Sequence, residues 1–473
     1  MPTMSRGRDK PQDRQRPPGY LALLRRPAVE VVLFSQILSR AGSQILSYGS
    51  MVHLAGIGGS QIEISLLSAS GALAALVFGV RGGAVADSLP KRVALGLSYA
   101  AQAALCFVIP RYLGTGIGAL FLLIFAVSIL TQITSPALKV AVALVATAAE
   151  LATVTVLLGF AGGIGTAIGS AILAPMLIKQ WGITIAAYAA GVLFLFASIR
   201  ALRIPEERRR TAKTEAERPR IGGFREAGAW MLAHQAVATM ILVGAAVTVL
   251  SRIFDSLQPI YVRSVLGADP TYAIYIFAPG AIGALIGQLS SPILIRWPGE
   301  RVLAVISLAV FSGAMVLFGL INVVASALAR FSPLRLLSVV DIHLSDQILA
   351  AGMIAILVEF AQAGAATSVQ TYVNRRVPLD VQGTTFGVQA FVTNAIGFTG
   401  TLAVGALATV FGTRAIFLLV PPLLAATLIW LIRLSFRSRD EPVPTPRQAL
   451  ATLWNEQQDT NSSDAPGETG ALR

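Results

Sequence analysis

Charge is what this sequence has least of. Asp, Glu, Lys and Arg make up 13% of its 473 residues, against 55% hydrophobic residues. Soluble domains carry about a quarter charged residues. With a mean hydropathy of +0.69, the composition is that of a membrane protein. There is one cysteine, Cys106, so an intramolecular disulfide and a cysteine metal cluster are both excluded. In its apolar run, Cys106 reads as a small core or lipid-facing residue. The three histidines, His53, His234 and His343, are scattered, and no HExxH is present, so no metal site is expected. The chain lacks a P-loop, which leaves no sign of ATP hydrolysis. No Ser/His/Asp constellation stands out either. An enzyme is not expected, nor is a cofactor. The apolar runs also lack the strict alternation of barrel strands. Backbone groups must be satisfied internally in lipid, so the expected fold is all-α.

What is there is a series of runs long enough to cross a bilayer, about 20 residues each. Spans are expected at 30–53, 63–86, 92–110, 115–138, 151–176 and 182–201. The stretch RIPEERRRTAKTEAERPRIGGFREAG follows, a charged linker with Pro and Gly. A second set is expected at 233–261, 270–292, 301–321, 347–372, 384–410 and 414–434. This predicts twelve transmembrane helices in two six-helix lobes, 30–201 and 233–435, joined by a linker at 202–232. The tail 1–29 is polar and basic, and 436–473 is polar; both are expected to be disordered, the first in part. Two places are weakly marked: the break near Lys139–Glu150, and the long connection between spans 9 and 10. The latter carries Arg330 and Arg335 and has the makings of a short interfacial helix.

The net charge of +13 suggests a nucleic-acid partner only until the charges are placed. Arg25, Arg26, Lys91, Arg92, the eight basic residues from Arg203 to Arg225, Arg375, Arg376, Arg437 and Arg439 all fall on one side of a twelve-span chain. The opposite loops hold single charges such as Arg111, Lys179, Arg263 and Arg414. Basic residues gather on the cytoplasmic side, so both termini are expected in the cytoplasm and the protein in the cytoplasmic membrane. The expected partners are lipid, a small-molecule substrate and protons, with the protein a monomer.

One hairpin interrupts the oily character most sharply: GGAVADSLPKRVAL, residues 82–95. It resembles the signature loop of the major facilitator superfamily between spans 2 and 3. Gly83, Asp87, Lys91 and Arg92 match its main positions, while Ser88 and Pro90 depart from it. The stretches YLALLRRPAVEVVLFSQILSRAG, ITSPALKVAVALVATAAELATVTVLLGFAGG and RRVPLDVQGTTFGV resemble the entry to span 1, the 4–5 region and the entry to span 11. The resemblance covers most of residues 20–435 and is closest to the bacterial drug and siderophore exporter branch. In the second half Arg301 aligns with Arg92, but Arg296 sits where Asp87 would. In span 5, Gly165 and Gly169 are kept and Ser170 replaces the proline of the antiporter pattern. The resemblance implies alternating access, with spans 1, 4, 7 and 10 lining a central cavity.

Several residues in the spans are candidates for chemistry. Asp87 sits at a helix C-terminus, where the macrodipole disfavours an anion. Either this loop only fixes topology, or Asp87, with Gly83, Lys91 and Arg92, latches the halves in the outward-facing state against the entry to span 11 at Gly383–Thr385, as the resemblance suggests. Gly79 and Gly83 form a GxxxG step suited to close helix packing. In span 1, Gln36, Arg40, Gln44 and Tyr48 recur at four-residue steps, one drifting polar stripe. An arginine at mid-span costs about 2.5–3.5 kcal/mol. Arg40 therefore either lines a cavity or is paired with a fixed acid. In span 7, Arg252 and Asp255 are spaced i,i+3, close enough to pair. In span 10, Glu359 precedes Gln362 by about one turn. Glu359 is either a proton-coupling carboxyl, with Asp255 second, or a counter-ion to Arg40 or Arg252. Ser128, Thr131, Gln132 and Ser135 in span 4 are further cavity candidates.

Two runs of six spans suggest a transporter with its site between the halves. The expected activity is proton-driven export of a small amphiphilic molecule. A uniporter or metabolite importer on the same fold is the alternative, and a non-transporting membrane partner or sensor is another.

Overall fold

The computed structural model describes residues 23–147, 150–204, 234–295, 299–333, 335, 344–377 and 379–437. At some helical positions, among them 83–84, 86–88 and 379–386, it describes the backbone path alone. Most of the N-terminal tail, nearly all of the linker, Arg296 and the C-terminal tail lie outside the described residues.

Among the described residues every regular element is helical. The first half holds α1 (Pro27–Gly56), α2 (Gln61–Ser88), α3 (Lys91–Tyr112), α4 (Ile117–Val145), α5 (Leu151–Ala167) and α6 (Ala174–Ala201). A π-helical turn, Ile168–Leu173, joins α5 to α6. The second half holds α7 (Gln235–Ser264), α8 (Ile274–Leu294), α9 (Gly299–Gly319), the short α10 (Ile321–Ala329), α11 (Asp346–Arg376), α12 (Leu379–Phe411) and α13 (Thr413–Arg437). The helix expected in the 9–10 connection is thus present as α10, which packs on α11.

Local chemistry marks the helix ends. Proline opens α1, where a missing N–H costs nothing. A capping box opens α2: Ser60 Oγ accepts from the Glu63 N–H, and Glu63 Oε2 accepts from the Ser60 N–H at 2.7 Å. The weakly marked 4–5 break falls between Val145 and Leu151. There Glu150 Oε2 accepts from the Thr147 N–H at 3.2 Å and from Arg26 Nη1 at 2.8 Å.

Nine stretches among the described residues are long and apolar enough to cross a membrane. The longest, Thr153–Ala201, has 49 residues. Straight, it would extend roughly 74 Å at 1.5 Å per residue, more than twice the hydrocarbon core of about 30 Å. It is broken at Gly182, whose φ of 78° and ψ of 177° no helix contains. This is where the boundary between spans 5 and 6 was expected. The helix α1, with its polar stripe, is not among the nine, and α13 is apolar over the shorter stretch Thr413–Leu424.

The buried apolar side chains form two clusters. One draws on residues 23–204 with Ile260, the other on residues 237–420 with Tyr48, Val52 and Ala174. Each half uses the same packing device. A Cβ built on Gly165 or Gly169 would lie 2.5 or 2.6 Å from the backbone oxygen of Ile37 or Ala41 on α1. A Cβ on Gly287 would lie 2.6 Å from the Phe360 oxygen on α11, and one on Gly283 would strike Ile356 on the same helix. Small residues at four-residue spacing let backbones meet where no hydrophobic drive separates helix from lipid. Of the GxxxG step expected in α2, the surroundings of Gly83 lie outside the described set. Gly79 has only ordinary contact with Gln132, at 3.9 Å, whereas a Cβ on Gly82 would lie 2.7 Å from Gln132 Cβ and 2.8 Å from its backbone oxygen.

Between the halves, α2 lies along α12, α1 and α2 touch α7, and α5 with its π turn touches α8.

Candidate functional site

A cavity of about 480 Å³ lies where the halves meet. Its wall combines α1, α2, α4 and the π turn from the first half with α7 and α12 from the second. The polar stripe of α1 supplies Arg40, Gln44 and Tyr48, widened by Ser43 and Ser47 one position earlier in each step. The helix α4 adds Ser128, Thr131, Gln132 and Ser135. From the second half come Arg252, Asp255 and Asn394. The π turn contributes Ser170, the residue that stands in place of a proline, with its Oγ donating to the Thr166 carbonyl at 2.8 Å. An apolar face of Leu46, Met51, Leu67, Ile124 and Val127 completes the wall.

A second, smaller cavity of about 70 Å³ lies inside the first half. Gln36 lines this one and not the larger, together with Tyr99, Gln102 and Lys139. Arg40, Ser43, Thr131 and Ser135 line both. Arg40 thus stands at the partition between the two.

The charged groups do not pair as their spacing suggested. Among the described residues the ion pairs within 4 Å include Arg26–Glu150, Arg200–Glu30 and Arg375–Glu300, all near helix ends. The i,i+3 pairing of Arg252 with Asp255 is not made. Arg252 Nη2 donates instead to Asn394 Oδ1 on α12 at 3.2 Å, its stem lies against Gly397, and its Nε is buried without a partner. Asp255 faces the cavity within Coulombic reach of Arg252, Tyr48 and Glu359. Glu359 lines neither cavity. Its Cγ packs against Gly280 of α8, 3.2 Å from where a Cβ would stand. Gln362 lines neither cavity either, so α11 does not contribute its expected polar residues to this wall. Sequence reasoning missed Ser43 and Ser47, which flank the α1 stripe, and Ser68 and Asn394, whose hydroxyl and amide carry no signal until α2 and α12 are laid side by side.

The latch residues fall at the α2–α3 turn. Gly83 and Asp87 are in the last turns of α2, and their side chains lie outside the described set, as do those of 383–385. Lys91 is buried at the first turn of α3, and Arg92 follows it. At the opposite end of the bundle the halves are tied by hydrogen bonds. Arg263 Nη1 donates to the Ala55 carbonyl at 2.7 Å, and Gln61 Nε2 donates to Thr413 Oγ1 at 2.8 Å.

Two helical halves, glycine-packed alike, with a polar cavity walled from both, make the architecture of a membrane transporter. The chain belongs to the Major Facilitator Superfamily, whose sequence model matches residues 32–340; this is a family of transporters and not of enzymes. No curated protein sequence matches the chain. Its fold is similar to that of a mutant of the nucleoside transporter NupG, with a TM-score of 0.64 at 14% identity over 87% of this chain and 100% of that one. It is also similar to a bacterial homologue of the human lysosomal transporter Spinster in an inward-facing, unoccupied conformation, with a TM-score of 0.62 at 14% identity over 93% and 98%. A D-xylose–proton symporter gives a TM-score of 0.59 at 13% identity over 86% and 97%.

Proposed function

We propose that this protein is a twelve-span secondary transporter that exports a small amphiphilic molecule by alternating access, driven by protons. The observation that carries the reading is the cavity itself, walled by both halves and mixing a polar stripe with an apolar face. A pocket of 300–1,000 Å³ suits a small ligand. Family membership supports transport as such, and the likeness of the signature hairpin to the drug and siderophore exporter branch supports export.

In this reading the N-tail, the linker 202–232 and the C-tail are cytoplasmic, because the basic residues cluster at that end. The halves 30–201 and 233–435 rock about the cavity. Asp87 with Gly83, Lys91 and Arg92 latches the cytoplasmic end when the other end opens. Asp255 and Glu359 carry the coupling protons, supported by their Coulombic contact with each other and by the lack of an ion pair for either among the described residues. Gln362 and Gln36 act next to the site and not in the larger cavity. The protein works as a monomer in the cytoplasmic membrane. The symporter among the solved structures supports the alternative of an importer on the same fold.

A resistance screen in a host stripped of its own exporters tests this. Expression is expected to raise tolerance to at least one toxic amphiphile, and Glu359→Gln at equal expression is expected to abolish the gain. No gain of tolerance across a broad panel, or heightened sensitivity to the compounds, contradicts export.

A further inference from the structure

We infer that the ligand of the large cavity carries an anionic head, a carboxylate or phosphate, which docks on Arg40. The inference rests on the reading of this cavity as the transport site and names the chemistry it selects.

Arg40 is exposed, and it lines the large cavity as well as the small one. Its guanidinium has five N–H donors and cannot shed its charge. Among the described residues it makes neither a hydrogen bond nor an ion pair. The titratable group that bears on it is the Tyr99 phenol, not a carboxyl. The other cavity arginine differs, since Arg252 is engaged by Asn394 and sits beside Asp255. The cavity wall is therefore polarised. One side is a bare cation flanked by the hydroxyls of Ser43, Thr131 and Ser135; the other holds the acid. With two arginines against one carboxyl, the wall keeps a net positive charge whatever the protonation of Asp255. Glu359 packs against Gly280, lines neither cavity and makes no ion pair with Arg40. A planar fork of donors with the Ser43 and Ser135 hydroxyls beside it matches a carboxylate or phosphate. Leu46, Met51, Leu67, Ile124 and Val127 then receive the apolar part. A cationic amphiphile would meet two arginines and leave Arg40 unsatisfied.

The test uses the full chain in lipid nanodiscs, with empty nanodiscs as the baseline. Four probes share one tail: octanoate, octyl phosphate, octanamide and octyltrimethylammonium. Octanoate or octyl phosphate is expected to bind saturably, at least tenfold more tightly than octanamide. Arg40→Gln is expected to remove that tenfold preference, and Arg40→Lys, which keeps the charge but not the fork, to retain part of it. Preference for the amide or the cation, or an anion preference that survives Arg40→Gln, overturns the inference while leaving a transport site in place. Binding of none of the four overturns both the inference and the amphiphile reading. A second measurement keeps Arg40 intact, in case Arg40→Gln does not fold. In a Cys106→Ser background, Ser43→Cys is modified with anionic and cationic methanethiosulfonates of equal size, normalised to a free thiol. The anionic reagent is expected to react several-fold faster; equal or reversed rates contradict the assignment.

Discussion

Glycine at position 165 offers a sharp test of how the first half is packed. An alanine methyl there would lie 2.5 Å from the Ile37 carbonyl oxygen, 2.9 Å from Arg40 Cβ and 3.0 Å from Ile37 Cα. Two of these are backbone atoms, which cannot turn aside as a side chain does. Restoring ordinary contact at 3.4 Å requires α1 and α5 to part by roughly 0.9 Å, and overpacking of this kind costs about 1–3 kcal/mol. Alanine regains about 0.5–1 kcal/mol over glycine inside a helix, so Gly165→Ala is expected to lose up to about 2.5 kcal/mol net. The same helix contains its own control. At Gly159 the nearest atom to a methyl is Gln288 Nε2 at 3.8 Å, so Gly159→Ala is expected to be neutral or stabilising by up to about 1 kcal/mol. Thermal unfolding of the two variants and the parent in one detergent reads the contrast. A midpoint for Gly165→Ala at or above the parent's, or equal losses in both variants, refutes the packing argument. Because Arg40 Cβ is among the displaced atoms, Gly165→Ala is also expected to weaken binding in the cavity.

Three further outcomes follow. Tyr261 Oη donates to the Phe318 carbonyl at 2.7 Å inside an aromatic group with Phe254 and Phe417, so Tyr261→Phe is expected to cost about 1 kcal/mol in thermal stability, and an unchanged midpoint contradicts that. The Thr147 N–H and Arg26 hold the Glu150 carboxyl below the usual carboxylate range against the opposing pull of desolvation. Its stabilisation is therefore present above the unfolded-state value of about 4.3 and lost as pH falls through the lower folded-state value. Glu150→Gln is expected to flatten the acid limb of stability between those two values, and an unaltered acid limb counts against the contact. Asp87→Asn is expected to lower turnover at normal expression; unchanged turnover leaves the hairpin with a topological role only.

The sequence made some of this architecture plain and concealed the rest for identifiable reasons. Continuous apolar runs define helices one by one, and Gly182 falls at the expected start of span 6, just after the break. The stripe of Arg40, Gln44 and Tyr48 was legible because helical periodicity puts four-residue steps on one face. Asn394 was not, since its importance depends on α12 lying against α7 and α2, a long-range pairing that periodicity does not encode. The same partner explains why Arg252 and Asp255 do not pair although their spacing permits it. Glu359 was legible as an acid within a span, but its packing against Gly280 on another helix, off the cavity wall, was not. In α2 the close approach of Gly82 to Gln132 was not legible, because the face turned to α4 is set by the neighbouring helix.

In the proposed function, opposing motions of the two halves carry a substrate through this cavity at the expense of a proton gradient. The most direct measurement is flux of the tightest-binding octyl probe in proteoliposomes under an imposed pH gradient, for the parent and for Glu359→Gln. The account predicts accumulation that follows the sign and size of the gradient in the parent and is lost in the variant. Flux that ignores the gradient, or that persists unchanged in Glu359→Gln, contradicts it.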